Sequence, residues 1–400
     1  MRRLPNLCPF VVFAVQIAAQ TVHLVGPNGL PQIRDALAVA AAGDVIHVEP
    51  GTYAHFDAAI AVTIRALQPG TVDVVFDPAY APAGCTFFCA LTQGPTLLHP
   101  PVGETLHVIG LRFVGNQAPV STTVARHRVG VAGGRVTLDA CELYATDAAA
   151  LTVTDATLHL QACTMQVASP VTGAPAMLAT GSDVTAVDCV FSGGSTLGAG
   201  VGFQPGAGIV LMSSRLHAGE IGVAGGSTTF GSFGAPAMVA GTGSTAWLND
   251  ATLTAGTGSC AVQNGGATLA CRNCTLVDQA GGCPTIAPMP LLGVLRTSPL
   301  AAGSQFGVEF YTEPNGFVVI FAAPRLDTID GGFLLAQPSW LEFTQSFALG
   351  VWLADPSGVA SASWPIPNSA AIPDQELWLE GLTGLALPLQ VSPPVGGIAR

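Results

Sequence analysis

The chain of 400 residues contains no lysine; its 13 basic residues are all arginine, set against 25 acidic ones, for a net charge of −12. Without lysine there is no Schiff-base amine, no lysine general base and no phosphate-loop lysine, so mechanisms built on those groups drop out. Charge of either sign is scarce, at 10% of residues against roughly 25% in an ordinary soluble domain. An acidic chain without a basic stripe excludes nucleic acid as a partner, because that affinity rests on Lys and Arg neutralising phosphates. Long apolar runs are missing as well. The mean hydropathy is +0.51, yet the longest run, Leu7 to Ala19, contains Gln16 and falls short of the roughly twenty residues a spanning helix needs. No transmembrane segment is expected. There is no Gly-x-Ser-x-Gly turn, and the eight histidines show no metal-ligand pairing, so these motifs assign no catalytic residue, metal or cofactor.

What is present begins at the N-terminus. Arg2-Arg3, an apolar middle and the exit Ile17-Ala18-Ala19 have the order of a secretory signal peptide. Residues 1–19 are read as that peptide; the alternative, a buried strand, is disfavoured by Pro5 and Pro9. Export places the mature chain outside the cell or on its surface and makes disulfides permissible. Of 10 cysteines, Cys8 leaves with the peptide, and the odd remainder leaves at least one thiol unpaired.

An internal repeat organises the next part. VTLDACEL (136–143) returns as LHLQACTM (158–165), VTAVDCVF (184–191), IVLMSSRL (209–216), AWLNDATL (246–253) and LACRNCTL (269–276), with weaker copies at 106–113 and 62–69. The sixth residues are Leu67, Leu111, Cys141, Cys163, Cys189, Ser214, Ala251 and Cys274. Alternation within each copy predicts a strand. The position before the sixth residue breaks it and carries Asp188, Asp250 or Asn273, types that tolerate left-handed backbone and so turn the chain. Such a unit cannot bury its inner face alone, so its neighbours must stack on it as parallel strands. An all-β solenoid is expected. A β-sandwich is the rival, but it would not need one side-chain type at one place in every unit.

Residues 30–42 carry apolar side chains at helical spacing and stop at Gly43, which predicts an N-terminal capping helix. Ile33-Arg34-Asp35-Ala36-Leu37, then Gly43-Asp44-Val45-Ile46-His47-Val48-Glu49-Pro50-Gly51-Thr52-Tyr53, then Val62-Thr63-Ile64-Arg65-Ala66 resemble the opening of right-handed parallel β-helix proteins of the pectin-lyase-like superfamily. The resemblance spans roughly residues 22–285 and implies that fold; the superfamily also hosts lyases, hydrolases, esterases and non-enzymatic surface proteins. The β-helix is therefore placed at 20–285. In 286–400 the repeat stops and short apolar strands alternate with Pro, Gly and Asn turns, which reads as a small C-terminal β-sandwich. Trp364-Pro365-Ile366-Pro367-Asn368 and Leu377-Trp378-Leu379-Glu380 resemble terminal domains of secreted planctomycete-type bacterial proteins.

Cys141, Cys163, Cys189 and Cys274 share one inward position and are expected to form a buried ladder of soft side chains, roughly 4.8 Å apart. A disulfide between adjacent rungs falls within the usual Cα range. Cys85 with Cys89, and Cys260 with Cys283, are the candidate loop disulfides. A redox or zinc reading of Cys271 and Cys274 lacks a second CxxC. Enzymes of the superfamily use aspartates on neighbouring coils, some with calcium. Here the equivalent outward positions read Asp139, Gln161, Val187, Met212, Asn249 and Arg272, which is no carboxylate cluster. One outward patch is left: alternation points Trp247 to solvent with Asn249, and Arg215 and Arg272 flank it. That set suits stacking on a sugar and pairing with a uronate carboxylate; the bland reading is a Trp covered by a loop or by the C-terminal domain. The expectation is a secreted or cell-surface scaffold, monomeric or weakly self-associating, with polysaccharide as its ligand class. The alternative is a polysaccharide lyase or glycoside hydrolase using calcium, with residues 217–245 as a cleft wall.

Overall fold

A computed structural model describes residues 20–75, 77, 95–115, 128–146, 148–168, 173–196, 205–229, 233–330, 332–342, 344–369 and 375–399. The signal-peptide residues, Cys85 and Cys89 lie outside them. Among the described residues no helix is long and apolar enough to cross a membrane.

The alternating segments wind into a right-handed parallel β-helix. Each coil contributes one strand to each of three parallel sheets, which hold eleven, nine and eight strands and are called sheets 1, 2 and 3 in chain order. One coil reads Leu151–Thr154 in sheet 3, Thr157–Gln161 in sheet 1 and Thr164–Ala168 in sheet 2. In sheet 1 the inward residues, such as Val136, Leu138, Leu158, Leu160, Val184 and Ala186, are fully buried. They form one continuous core along the axis. Between sheets 1 and 2 a single left-handed residue turns each coil. Ala140, Ala162, Asp188, Glu220, Asp250 and Asn273 have φ between 49° and 54°, and Gly110 does the same at 72°.

The strand register corrects two of the repeat's anchor positions. Cys189 is followed in its column by Ile221 and then Ala251, since Val190 pairs with Gly222 and Gly222 with Thr252. The copy at 209–216 instead straddles the end of a sheet 3 strand, Ile209–Met212, and the start of a sheet 1 strand, Arg215–Gly219. Ser214 therefore belongs to the other bend, in a ladder of serines. The Ala156 N–H donates to Ser182 Oγ (3.2 Å), the Ser182 N–H to Ser214 Oγ (3.1 Å) and the Ser214 N–H to Ser244 Oγ (3.3 Å). Leu67 is likewise outside the column: it is exposed, and Val72 pairs with Leu111. A pattern of apolar and small residues does not distinguish the two bends, because both demand a tight turn between alternating strands. The described residues of 217–245 accordingly include ordinary coil strands, Gly222–Ala224 and Met238–Ala240.

The N-terminal helix is one short turn, Ile33–Leu37, with Ile33 and Ala36 buried. The expected start is taken up by Gln32, whose side chain accepts the Ala54 N–H at 2.8 Å. The last parallel strand is Ala287–Pro288. From Gly293 the pairing is antiparallel. Gly293–Arg296, Gln305–Tyr311 and Val359–Pro365 make one sheet; Phe347–Leu353, Phe317–Ala323 and Glu376–Thr383 form the body of the other. Val308, Phe310, Val318, Ile320 and Leu379 pack between them. Of the apolar stretch 385–391, Gln390–Val391 pairs with the Glu376–Thr383 strand and Leu389 makes an isolated bridge to Leu335. A hairpin of Leu326–Ile329 and Ser339–Leu341 closes over Trp340 and Trp378.

Candidate functional site

Alternation turns the first, third and fifth residues of a five-residue sheet 1 strand outward: the first positions include Arg135, Asp183 and Arg215, and the third and fifth form two further rows. The register lines them up as Thr63, His107, Thr137, His159, Thr185, His217, Trp247 and Ala270, and beside these as Arg65, Ile109, Asp139, Gln161, Val187, Gly219, Asn249 and Arg272. Outward residues of a free solenoid face meet water. Here His159, Gln161 and Thr185 are at most 1% exposed and His217 and Asn249 are at 0%, because the C-terminal domain lies along the side of the coil.

Arginines fasten it there. Arg272 donates to the carbonyls of Leu291 (3.1 Å), Tyr311 and Thr312 (2.9 Å). Arg215 grips Asp183 through Nε (2.5 Å) and Nη2 (2.7 Å) and reaches Asp330 through Nη1 (2.5 Å). Arg135 meets Asp327 at 2.6 Å. In the reverse direction Arg296 bonds Asp139 at 3.1 Å and the Gly396 carbonyl at 3.0 Å. The forked guanidinium satisfies several acceptors at once, and each bond to it carries charge assistance. Imidazoles complete the seam: His107 Nε2 pairs with Glu376 at 3.0 Å, and the His159 ring meets Trp378 edge-on with centroids 4.7 Å apart. Burial alone would raise Glu376, but the charge and hydrogen bond of His107 hold its carboxyl below the usual range. Burial pushes His159 down to about 4 and His217 to about 3, so both are neutral at pH 7. Several buried polar atoms of this seam have no protein partner, among them Thr137 Oγ1, Gln161 Nε2, Asn249 Oδ1 and both ring nitrogens of His217.

The expected sugar patch is thereby corrected. Trp247 is half-buried with its ring 6.0 Å from His217. Asn249 is fully buried and donates to the Leu292 carbonyl at 3.5 Å. Arg215 and Arg272 are committed to the seam. Alternation settles which way a side chain points but not what comes to lie on it. One sequence signal did mark this face: between Arg65 and Arg272 these two rows carry a single charge, Asp139, and include Ile109, Val187 and Ala270.

Carboxylates do gather, at a place the search along the strands did not reach. Asp188, Glu220 and Asp250 stack on successive bends, and Glu309 and Tyr311 of the C-terminal domain face them. Burial, and then repulsion from Asp250, Asp188 and Glu309, pushes Glu220 up. The Tyr311 hydroxyl donates to Glu309 at 2.9 Å, and Asn273 to Asp250 at 3.1 Å. A buried carboxyl, Glu380, lies within the C-terminal domain beside a hollow lined by Phe321, Leu335, Ser339 and Leu341. It accepts the Ser339 hydroxyl (2.6 Å) and the Trp340 N–H (2.8 Å), and burial pushes it up to about 8.

Cys260 and Cys283 form a disulfide with Cα atoms 5.4 Å apart. Asp278 is near, but its carboxylate accepts the Ala261 N–H at 2.6 Å and the two sulfurs are bonded to each other, so this trio does not make a metal centre. Cys141, Cys163 and Cys189 are buried free thiols. Cys274 leaves the expected ladder: it is half-buried in the last full coil and disulfide-bonded to Cys271, which sits across the same bend.

No family model and no curated protein matches this chain. Among solved structures it is similar to a pectin methylesterase in complex with a hexasaccharide, at 13% identity and a TM-score of 0.33, over 69% of this chain and 94% of that one. Pectin methylesterase PemA from Erwinia chrysanthemi gives 12% and 0.31, over 67% and 92%. The A-module of the Azotobacter vinelandii mannuronan C-5 epimerase AlgE4 gives 8% and 0.22, over 64% and 93%.

Proposed function

We propose that this chain is a secreted or cell-surface scaffold, monomeric or weakly self-associating, in which a β-helical rod is splinted along one side by its own C-terminal domain. The observation that carries the reading is the seam. From Arg65 to Arg272 the outward face of sheet 1 is spent on holding that domain, through Arg65 to the Ala399 carbonyl (3.1 Å) at one end and Arg272 to Thr312 (2.9 Å) at the other. A bridge of this length resists bending and uncoiling, because opening any coil in its span also breaks contacts to the splint. Few charges and a close-packed small-residue core fit durability rather than turnover. Carbohydrate as the ligand class rests on the resemblance of the Gly43–Tyr53 segment; sheets 2 and 3 are the faces left to meet it.

The test is a panel of acidic and neutral polysaccharides, with and without calcium, scored for binding and for release of unsaturated or reducing ends. Binding without product supports a carbohydrate-binding scaffold. Product, especially calcium-dependent product, overturns the scaffold reading in favour of a lyase or hydrolase. Absence of both leaves the splinted rod, tested by whether Arg272→Ala frees the C-terminal domain to limited proteolysis.

A further inference from the structure

Three thiols stand one per coil at the same inward place. Glu142 pairs with Thr164, and Thr164 with Val190, so Cys141, Cys163 and Cys189, each one residue earlier, lie in register on adjacent rungs. They are at most 1% exposed. Each also donates to a main-chain carbonyl: Cys141 to Val108 (3.4 Å), Cys163 to Gln161 (3.2 Å) and Cys189 to Val187 (3.2 Å). Packing alone does not require sulfur at this place. Leu111, Ile221 and Ala251 fill it in other coils, and the four other described cysteines are paired.

We infer that Cys163 is the bridgehead of one inter-coil disulfide, formed with Cys141 or with Cys189 but never with both, and formed before the coils close. Adjacent rungs lie about 4.8 Å apart, inside the Cα range of a disulfide; Cys141 and Cys189, two rungs apart at about 9.6 Å, lie outside it. The co-reactant is an exchangeable disulfide such as oxidised glutathione. The Cys163 thiolate attacks one of its sulfurs and expels a thiolate. The thiolate of Cys141 or Cys189 then attacks the Cys163 sulfur of the mixed disulfide and expels the second. Two electrons pass to the small disulfide, and the two cysteine protons end on the two thiols released. Once the coils are stacked, the buried thiols are shielded from exchange, and burial holds Cys141 and Cys189 as thiols. The redox conditions at folding are thus retained in the finished rod.

The test is a non-reducing peptide map of residues 20–400, unfolded and refolded with oxidised glutathione, then alkylated in denaturant. Two cross-linked species are expected, 141–163 and 163–189, together amounting to no more than one per chain. The Cys260–Cys283 link serves as the internal control for oxidation. Cys163→Ala, which puts into this coil the residue Ala251 supplies in another, removes both species. Cys141→Ala leaves 163–189 alone. Protein folded in reductant and then exposed to the same oxidant shows neither until it is unfolded. Finding Cys260–Cys283 closed while all three ladder thiols of the refolded wild-type chain are alkylated overturns the inference. So does a 141–189 link, or ready cross-linking of the folded reduced protein.

Discussion

Glu380→Gln should raise the stability of the C-terminal domain in alkaline solution and do little in acid. Glu380 is 2% exposed, and burial takes its carboxyl from an ordinary 4.5 to about 8. A carboxyl whose folded value lies above its unfolded one gives stability that is complete below 4.5 and lost as pH rises through about 8. Above that, ionising it inside the domain costs up to ~5 kcal/mol relative to acid, at ~1.4 kcal/mol for each pH unit of the interval. Glutamine has the same shape and never ionises; its one oxygen can accept the Trp340 N–H, while its amide nitrogen replaces the oxygen that accepts the Ser339 hydroxyl and must donate to that hydroxyl instead. Its amide protons need an acceptor that the acid form does not, at a cost of about 1–2 kcal/mol. A net gain of about 3–4 kcal/mol is therefore expected at pH 9, with a loss of no more than about 1 kcal/mol at pH 5. The assay is urea unfolding at pH 5, 7 and 9, followed by tryptophan fluorescence, since the buried Trp340 and Trp378 lie in the same cluster. Far-UV circular dichroism follows the β-helix in parallel. A difference between variant and wild type that does not change with pH would refute the reasoning.

The acid limb should have the opposite origin. His159 and His217 titrate near 4 and 3 in the fold, below an unfolded value of 6.5, so their stability is present above 6.5 and lost as pH falls toward those values. His217→Phe should flatten the decline between pH 6.5 and 4 by about 2–3 kcal/mol, read from denaturant midpoints; an unchanged slope would rule out this histidine as the cause. Arg272→Ala should cost about 2–4 kcal/mol by leaving the Leu291, Tyr311 and Thr312 carbonyls without its charge-assisted bonds, and cleavage at the 286–292 connection should precede loss of β-helix signal. Cleavage and unfolding that remain simultaneous would argue against the splint. Ser214→Ala should cost about 1–2 kcal/mol, because the Ser182 N–H keeps its burial and loses its acceptor. Its amide should exchange faster than that of Ala156, whose partner Ser182 remains.

The repeat itself determined the winding of this chain. Alternation at Val136-Thr137-Leu138 and its copies needs no distant information to make strands, and an unaccompanied inner face forces the coils to stack. Asp188, Asp250 and Asn273 announced the left-handed bend because few other residue types tolerate it, while Ala140 and Ala162 held the same conformation without any such mark. Local pattern ran out where two sites share one grammar. The bend at Ser214 and the bend at Cys189 both want small residues between apolar ones, so only strand register separated them and moved Ile221 into the column. The candidate site failed for a different reason. Trp247, Asn249, Arg215 and Arg272 do point outward, as their spacing requires, but the residues that cover them, Leu292, Tyr311, Thr312 and Asp330, are from about forty to over a hundred positions away along the chain. Contact between surfaces so far apart in sequence depends on how two independently patterned units meet, and burial and pairing there belong to the tertiary structure alone.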